Sequence, residues 1–351
     1  MQRYYRTAIT AALLALVAQG CGGSDYVGDP GYVPPPPPSF VPLTDLRTGT
    51  YLGFQGGLYP GGANVAPSAH DSVGRARARA IRPLDLNGNA ASAGKIVLLS
   101  IGMSNTTQEF CSASSALPCD SWTFVGQAGA DPSVNRTSLE FVNGAAGGKT
   151  ASAWDSPVDP DYDRISDSRL APRGLSERQV QVVWVKVANA QPVASLPAGN
   201  ADAYLLVTQM GNIARALKIR YPNVRQVFFS NRIYAGYAVT TLNPEPYAYE
   251  SGFAVKWVVE AQIEQMRTGI VDSRAGTLNY DAGAPWIAWG PDLWANGTTP
   301  RSDGLTYARE DLVADGTHPS QSGEQKVGRL LLDFFKGSAY TSCWFLADRS
   351  C

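Results

Sequence analysis

Residues Lys95–Asn105 read KIVLLSIGMSN, and the fold follows from how this stretch is interpreted. From Lys95 to Gly102 it is apolar and β-branched with no polar residue at alternate positions, the pattern of a strand buried on both faces. Gly102 permits a sharp exit, and the polar residues after Met103 suit the start of a helix, with Ser104 at that start. Three more stretches have the same character: LEFVNGA (Leu139–Ala145), VQVVWVKVAN (Val180–Asn189) and VRQVFFSN (Val224–Asn231). Between the last two lies ADAYLLVTQMGNIARALKIRYP, whose Leu205, Leu206, Met210, Ile213, Leu217 and Ile219 suit one face of a helix. Helices are also expected over ESGFAVKWVVEAQIEQMRTG and SGEQKVGRLLLDFFKG. Strands alternating with helices predict an α/β fold with a central, mainly parallel sheet covered by helices. No internal repeat is present.

The chain has 351 residues, 44% of them hydrophobic and 17% charged, enough apolar material for one large domain, expected over 42–351. Its formal charge of −1 argues against a nucleic-acid partner. The one basic run, RARARA from Arg75, reads as a solvated face. Residues 1–20 pair the basic MQRYYR with the apolar AITAALLALVA, which reads as a signal peptide. That run is too short to span a bilayer, which needs about 20 apolar residues. VAQGCGG is similar to a bacterial lipobox, with Gln19 where a small residue is usual, so lipid attachment at Cys21 is expected and would be the only link to a membrane. Residues 21–41, with Pro34–Pro38, read as a stiff extended tether; a proline-rich ligand for another domain is the alternative. Of five cysteines, the four beyond Cys21 form two local pairs, Cys111 with Cys119 and Cys343 with Cys351. Disulfides in an oxidising compartment fit this spacing and zinc does not, four free thiols being the other reading. The chain is therefore expected to be exported, as an envelope lipoprotein or a periplasmic or extracellular protein.

In parallel sheets, ligands gather beyond the carboxyl ends of the strands. Ser104 stands there after the first strand, where it could cap the helix or present a nucleophile beside backbone N–H groups. Near the C-terminus DGTHPSQSGEQKVG (Asp315–Gly328) holds His318, one of two histidines. The spacing of Asp315 and His318 lets the carboxylate reach one ring nitrogen while the other faces outward, as a catalytic base requires. A histidine filling a turn is the bland alternative. His70, in SAHDSVG, has no such acid and reads as structural or surface.

These blocks together resemble the SGNH or GDSL-like hydrolase family over roughly Lys95 to Gly337. GMSN looks like the nucleophile block of the sialate O-acetylesterase-like branch, with Met103 where many members have aspartate. Asp315, His318 and Pro319 match the last block. NGAAGGKTASAW is similar to the glycine block, with Gly148 the best match and Gly147 its neighbour, and Asn189 stands at the third block, without the usual glycine-rich run. Asn231, in FFSNRIYAG, competes with Asn189. The resemblance implies a three-layer α/β/α, flavodoxin-like fold and a serine esterase with no metal and no cofactor, acting on carboxylic esters. Ser104 would be the nucleophile, His318 the base and Asp315 its orienting acid, with Ser104, Gly148 and Asn189 binding the oxyanion. O-acetyl groups on carbohydrate are the implied substrate. A lipase or short-chain esterase of the same fold stays open, as does a non-catalytic envelope lipoprotein that binds glycan. Trp286, Trp289 and Trp294 in PWIAWGPDLWANG could stack on sugar or pack in the core.

Overall fold

Five stretches, apolar on both faces but for one edge, become strands of a single sheet in the computed structural model, which describes residues 40–112, 117–349 and 351. They are β1 (Ile96–Gly102), β2 (Leu139–Asn143), β3 (Val180–Lys186), β4 (Gln226–Phe229) and β5 (Trp286–Trp289). Every neighbouring pair is parallel and the order is β2-β1-β3-β4-β5, the doubly wound flavodoxin-like arrangement. Every residue of β1, β3, β4 and β5 is buried, while β2, at one edge, keeps two half-buried positions.

Parallel neighbours need crossover connections, and helices supply them. In chain order the longer ones are α1 (Ser68–Arg79), α2 (Ser104–Phe110), α3 (Phe124–Ala130), α4 (Asp202–Arg220), α5 (Tyr247–Thr268) and α6 (Gln321–Gly337). Helices α4 and α5 pack together on one face of the sheet, and α2, α3 and α6 pack on one another on the other face with α1 beside them, giving three layers. A short antiparallel hairpin, Thr50–Tyr51 with Phe54–Gln55, stands outside the sheet.

Four differences from the sequence reading have physical causes. The fifth strand, WIAW, is only four residues long and buried on both faces, so it shows no alternation to read. Its tryptophans, with Trp294, belong to the core: Trp286, Trp289 and Trp294 are 0%, 2% and 1% exposed, which removes their rings as sugar platforms. On α4, Leu205 and Ile219 are 50% and 65% exposed, and the inward stripe is Leu206, Met210, Ile213 and Leu217. Phe40, read as the end of the tether, stacks on Tyr249 at 4.7 Å and is buried, so packing reaches back at least to that residue.

The signal peptide, Cys21 and Pro34–Pro38 lie outside the described residues. Among those described, no helix is long and apolar enough to cross a membrane. Cys111 is bonded to Cys119 and Cys343 to Cys351.

The tightest approach within the sheet is at the end of β1. A Cβ on Gly102 would stand 2.1 Å from Lys186 O and 2.4 Å from Thr106 Oγ1. Gly102→Ala must therefore push β1 from β3 or turn the helix entrance. The expected loss is about 1–3 kcal/mol, read as a fall in Tm, and an unchanged Tm would show that this approach is not tight.

Candidate active site

The chain leaves β1 toward β2 on one side and returns to β3 on the other, so a crevice opens beyond the carboxyl ends of β1 and β3. Ser104 enters it as the first residue of α2. Met103 is the N-cap and no side chain caps the helix, so the capping reading of Ser104 does not describe its contacts. Its Oγ lies 2.7 Å from His318 Nε2, and His318 Nδ1 lies 2.5 Å from Asp315 Oδ2. An ionised carboxylate only accepts, so Nδ1 carries the ring hydrogen and Nε2 presents its lone pair to the Ser104 hydroxyl.

The loop that holds this geometry is tied at several points. Asp315 Oδ1 accepts from Thr317 N at 2.8 Å and His318 N at 2.9 Å, closing a tight turn over its own backbone. Burial raises the Asp315 pKa, but the hydrogen bonds from the His318 ring, its N–H and the Thr317 N–H outweigh it and hold the carboxyl down at about 2. Gly316 has φ +65°, and a Cβ there would stand 1.8 Å from Tyr237 O. Val239 N donates to Asp315 O from the other side at 3.0 Å.

Helix α2 is fastened residue by residue. Asn105 Nδ2 donates to Thr317 O at 2.9 Å, joining the serine's helix to the histidine's loop. Thr106 Oγ1 donates to Lys186 O at 2.7 Å and Thr107 Oγ1 to Ala145 O at 2.7 Å. Glu109 takes the Lys186 ammonium on both carboxylate oxygens at 2.5 Å, with both side chains fully buried.

Ser104 and His318 border a cavity of about 380 Å³ that Gly148 and Asn189 also line. Neither Ser104 N nor Gly148 N donates a hydrogen bond to the described residues. Asn189 follows the end of β3 and spends its amide on one long bond, Nδ2 to Gln209 Oε1 at 3.3 Å. Asn231 is placed elsewhere: its Nδ2 donates to Asp292 Oδ1 at 2.7 Å and its Oδ1 accepts from Leu293 N at 2.8 Å, and it does not line this cavity. His70 is buried, stacked on Trp286 at 4.9 Å with Nε2 2.9 Å from Ile287 O, and burial lowers its pKa to about 4.

Sequence reasoning missed Arg232 and Asn243, both lining the cavity. Arg232 is 1% exposed; Nη1 faces Met103 Sδ at 3.9 Å, while Nε and Nη2 reach no hydrogen-bond partner among the described residues. Asn243 Oδ1 is likewise buried without a partner. Arg232 directly follows Asn231, and its part in the cavity depends on where the chain after β4 turns, which no residue pattern displays.

No family model and no curated protein matches this sequence. Solved structures similar to it include a candidate GDSL-like lipase from Parabacteroides merdae, 13% identical over 72% of this chain and 97% of that one, with a TM-score of 0.38. A carbohydrate esterase family 2 enzyme with a carbohydrate-binding domain, from Corynascus thermopiles, is 16% identical over 70% of this chain and 67% of its own, with a TM-score of 0.38. An acetyl xylan esterase is 14% identical over 67% of this chain and 97% of that one, with a TM-score of 0.37. At these TM-scores the likenesses carry no weight for the chemistry of this chain, which rests on the geometry above.

The two asparagines should behave oppositely on thermal unfolding. Asn231→Ala strands the buried Leu293 N–H and takes the shortest hydrogen bond from the buried Asp292 carboxylate, and should cost about 2–4 kcal/mol, whereas Asn189→Ala loses one long bond and should leave Tm close to wild type. Equal shifts in Tm would contradict the division of roles drawn from these contacts.

Proposed function

We propose that this chain is a serine hydrolase of carboxylic esters, with O-acetyl groups on carbohydrate as its substrate. The observation that carries the reading is the hydrogen-bonded row from Ser104 Oγ through the His318 ring to Asp315, ending at a cavity with unspent backbone donors. In this mechanism His318 Nε2 takes the Ser104 proton as Oγ attacks the ester carbonyl, and Asp315 stabilises the imidazolium that forms. The negative charge developing on the carbonyl oxygen is met by Ser104 N–H, Gly148 N–H and Asn189 Nδ2. His318 then returns the proton to the leaving alkoxide, which departs as the alcohol. Water, deprotonated by the same nitrogen, attacks the acyl-enzyme; the bond from the acyl carbon to Ser104 Oγ breaks, His318 returns the proton to Oγ, and the acid leaves. The steps call on no metal or cofactor.

The lining supports the choice of substrate. At about 380 Å³ the cavity suits a short acyl group, and its lining includes Asn189, Gln191 and Asn243, which carry side-chain amides. The unpartnered Asn243 Oδ1 and Arg232 nitrogens also favour a hydroxyl-rich alcohol over a lipid chain. The resemblance of GMSN to the sialate O-acetylesterase-like branch points the same way. Export, with anchoring at Cys21, completes the reading, and the two disulfides support it.

Ser104→Ala and His318→Ala should each remove nearly all hydrolysis of 4-nitrophenyl acetate, and the double variant should be little worse, because the residues act as one unit. Asn189→Ala should lower kcat by roughly 10²–10³-fold with little change in KM. Wild-type turnover in folded Ser104→Ala would refute the assignment, and a preference for long-chain esters over acetylated xylan or acetylated sialosides would replace the carbohydrate substrate with a lipid one.

The pH profile makes a separate test. A protonated imidazole has no lone pair for the Ser104 hydroxyl, so turnover should fall toward acidic pH. Asp315, held at about 2, stays ionised through that range and adds no second acid limb. Activity that is flat into acid, or lost to a chelator and restored by one divalent metal, would point to a different mechanism.

A further inference from the structure

A second cleft, of about 750 Å³, lies at the β5 edge of the sheet, between the start of α1, the strand's exit at Trp289–Asp292 and the end of α6. None of its lining residues lines the cavity beside Ser104. Four polar atoms of its lining residues are buried and reach no hydrogen-bond partner among the described residues: Trp289 Nε1, Asn64 Oδ1, Asp292 Oδ2 and Thr44 Oγ1. The first can only donate, the next two only accept, and the Thr44 hydroxyl can do either. Trp289 and Asp292 are 2% and 6% exposed. Asp292 Oδ2 has a counter-charge at ion-pair distance, Arg301 Nη1 at 3.4 Å, while Asp292 Oδ1 is already taken by Asn231. Asn64 spends its own Nδ2 on Thr44 O, leaving Oδ1 over.

The charges of the lining are largely spent within the protein. Arg75 pairs with Asp71 and Arg301 with Asp303, and with Asp292 the lining carries three aspartates against two arginines. An anion would meet a surplus of carboxylate, and among the described residues of the lining each aspartate has an arginine at ion-pair distance, which leaves none free for a cation. What fits is a neutral group that both donates and accepts, and a hydroxyl does both. Tyr59, Leu330, Phe334 and Tyr340 line the same cleft and supply apolar surface for the C–H faces of a pyranose.

We propose that this cleft is a second, non-catalytic binding site for neutral carbohydrate, with sugar hydroxyls accepting from Trp289 Nε1 and donating to Asn64 Oδ1 and Asp292 Oδ2. The site does not depend on the catalytic reading, because it shares no lining residue with the cavity beside Ser104. Its volume lies in the range of pockets that enclose small ligands.

The experiment is calorimetric titration of the intact protein with unacetylated xylotetraose, cellotetraose and mannotetraose, with trigalacturonate as the charged control. At least one neutral sugar should bind saturably, and Trp289→Phe and Asn64→Ala should each weaken it by at least roughly 10-fold. Asn64 lies on a half-buried loop, so Asn64→Ala keeps the test decisive should Trp289→Phe fail to fold. The bound sugar should leave 4-nitrophenyl acetate hydrolysis uninhibited. Binding of none of the neutral sugars, binding of trigalacturonate alone, binding indifferent to both variants, or competitive inhibition of the ester reaction would each overturn the proposal. A protein without esterase activity that still bound sugar in this pattern would fail the catalytic reading and keep this one.

Discussion

Where β1 ends, Gly102 lies so close to β3 that the space for one methyl group is taken by Lys186 O and Thr106 Oγ1. Everything about the site depends on that approach. Because β1 and β3 meet without a side chain between them, Thr106 can donate to the Lys186 carbonyl, and the Lys186 side chain can run beneath α2 to Glu109. Both ends of this ion pair are fully buried, and burial outruns pairing in each: the Lys186 ammonium is pushed down to about 8 and the Glu109 carboxyl is pushed up. Such a pair adds little net stability, but removing one partner strands a buried charge at a cost of about 3–5 kcal/mol. Its effect is geometric, holding the last turn of α2 at one position against the sheet.

A helix of seven residues has almost no stability of its own. Helix α2 exists because successive residues, about 100° apart around its axis, each find a different partner. Ser104 reaches His318, Asn105 reaches the Thr317 carbonyl, Thr106 reaches β3 and Thr107 reaches the segment after β2. Three segments, the Asp315–His318 loop, β3 and the chain after β2, converge on one short helix, and Ser104 inherits its position from the other three contacts. The Asp315–His318 loop is built the same way: the carboxylate that faces the ring also accepts two N–H groups of its own turn, so the acid and its orientation are one structure.

The two asparagines show why residue type alone does not assign a role. Asn189 and Asn231 both follow strands of the same sheet, yet Asn231 has both ends of its amide committed to Asp292 and Leu293, whereas Asn189 keeps nearly all of its capacity at the cavity wall. The difference lies in how the chain turns after each strand: Asn189 lines the cavity, whereas Asn231 turns to Asp292 and Leu293 although the next residue, Arg232, does line it. Spent hydrogen bonds mark structural groups, and unspent buried ones mark places where something else is expected to bind.

The local and periodic features of this protein were legible in its sequence. Doubly buried strands appear as unbroken apolar runs, so β1 to β4 and the parallel sheet could be read directly, as could the helical span of α4. The Asp315 and His318 contact could be read because both residues lie in one turn, and the disulfide partners because each pair closes a short loop. Strand β5 was hidden because four residues are too few to display a period, and Leu205 and Ile219 misled because helix α4 buries only the stripe its neighbours cover. The meeting of Ser104 with His318 joins positions 214 residues apart, and the choice of Asn189, the place of Arg232 and the orphaned atoms around Trp289 are likewise long-range. Sequence by itself determines what each residue can donate, accept or bury; which of those capacities remain unspent is decided only when distant segments pack, because a hydrogen bond used in one place is unavailable in another.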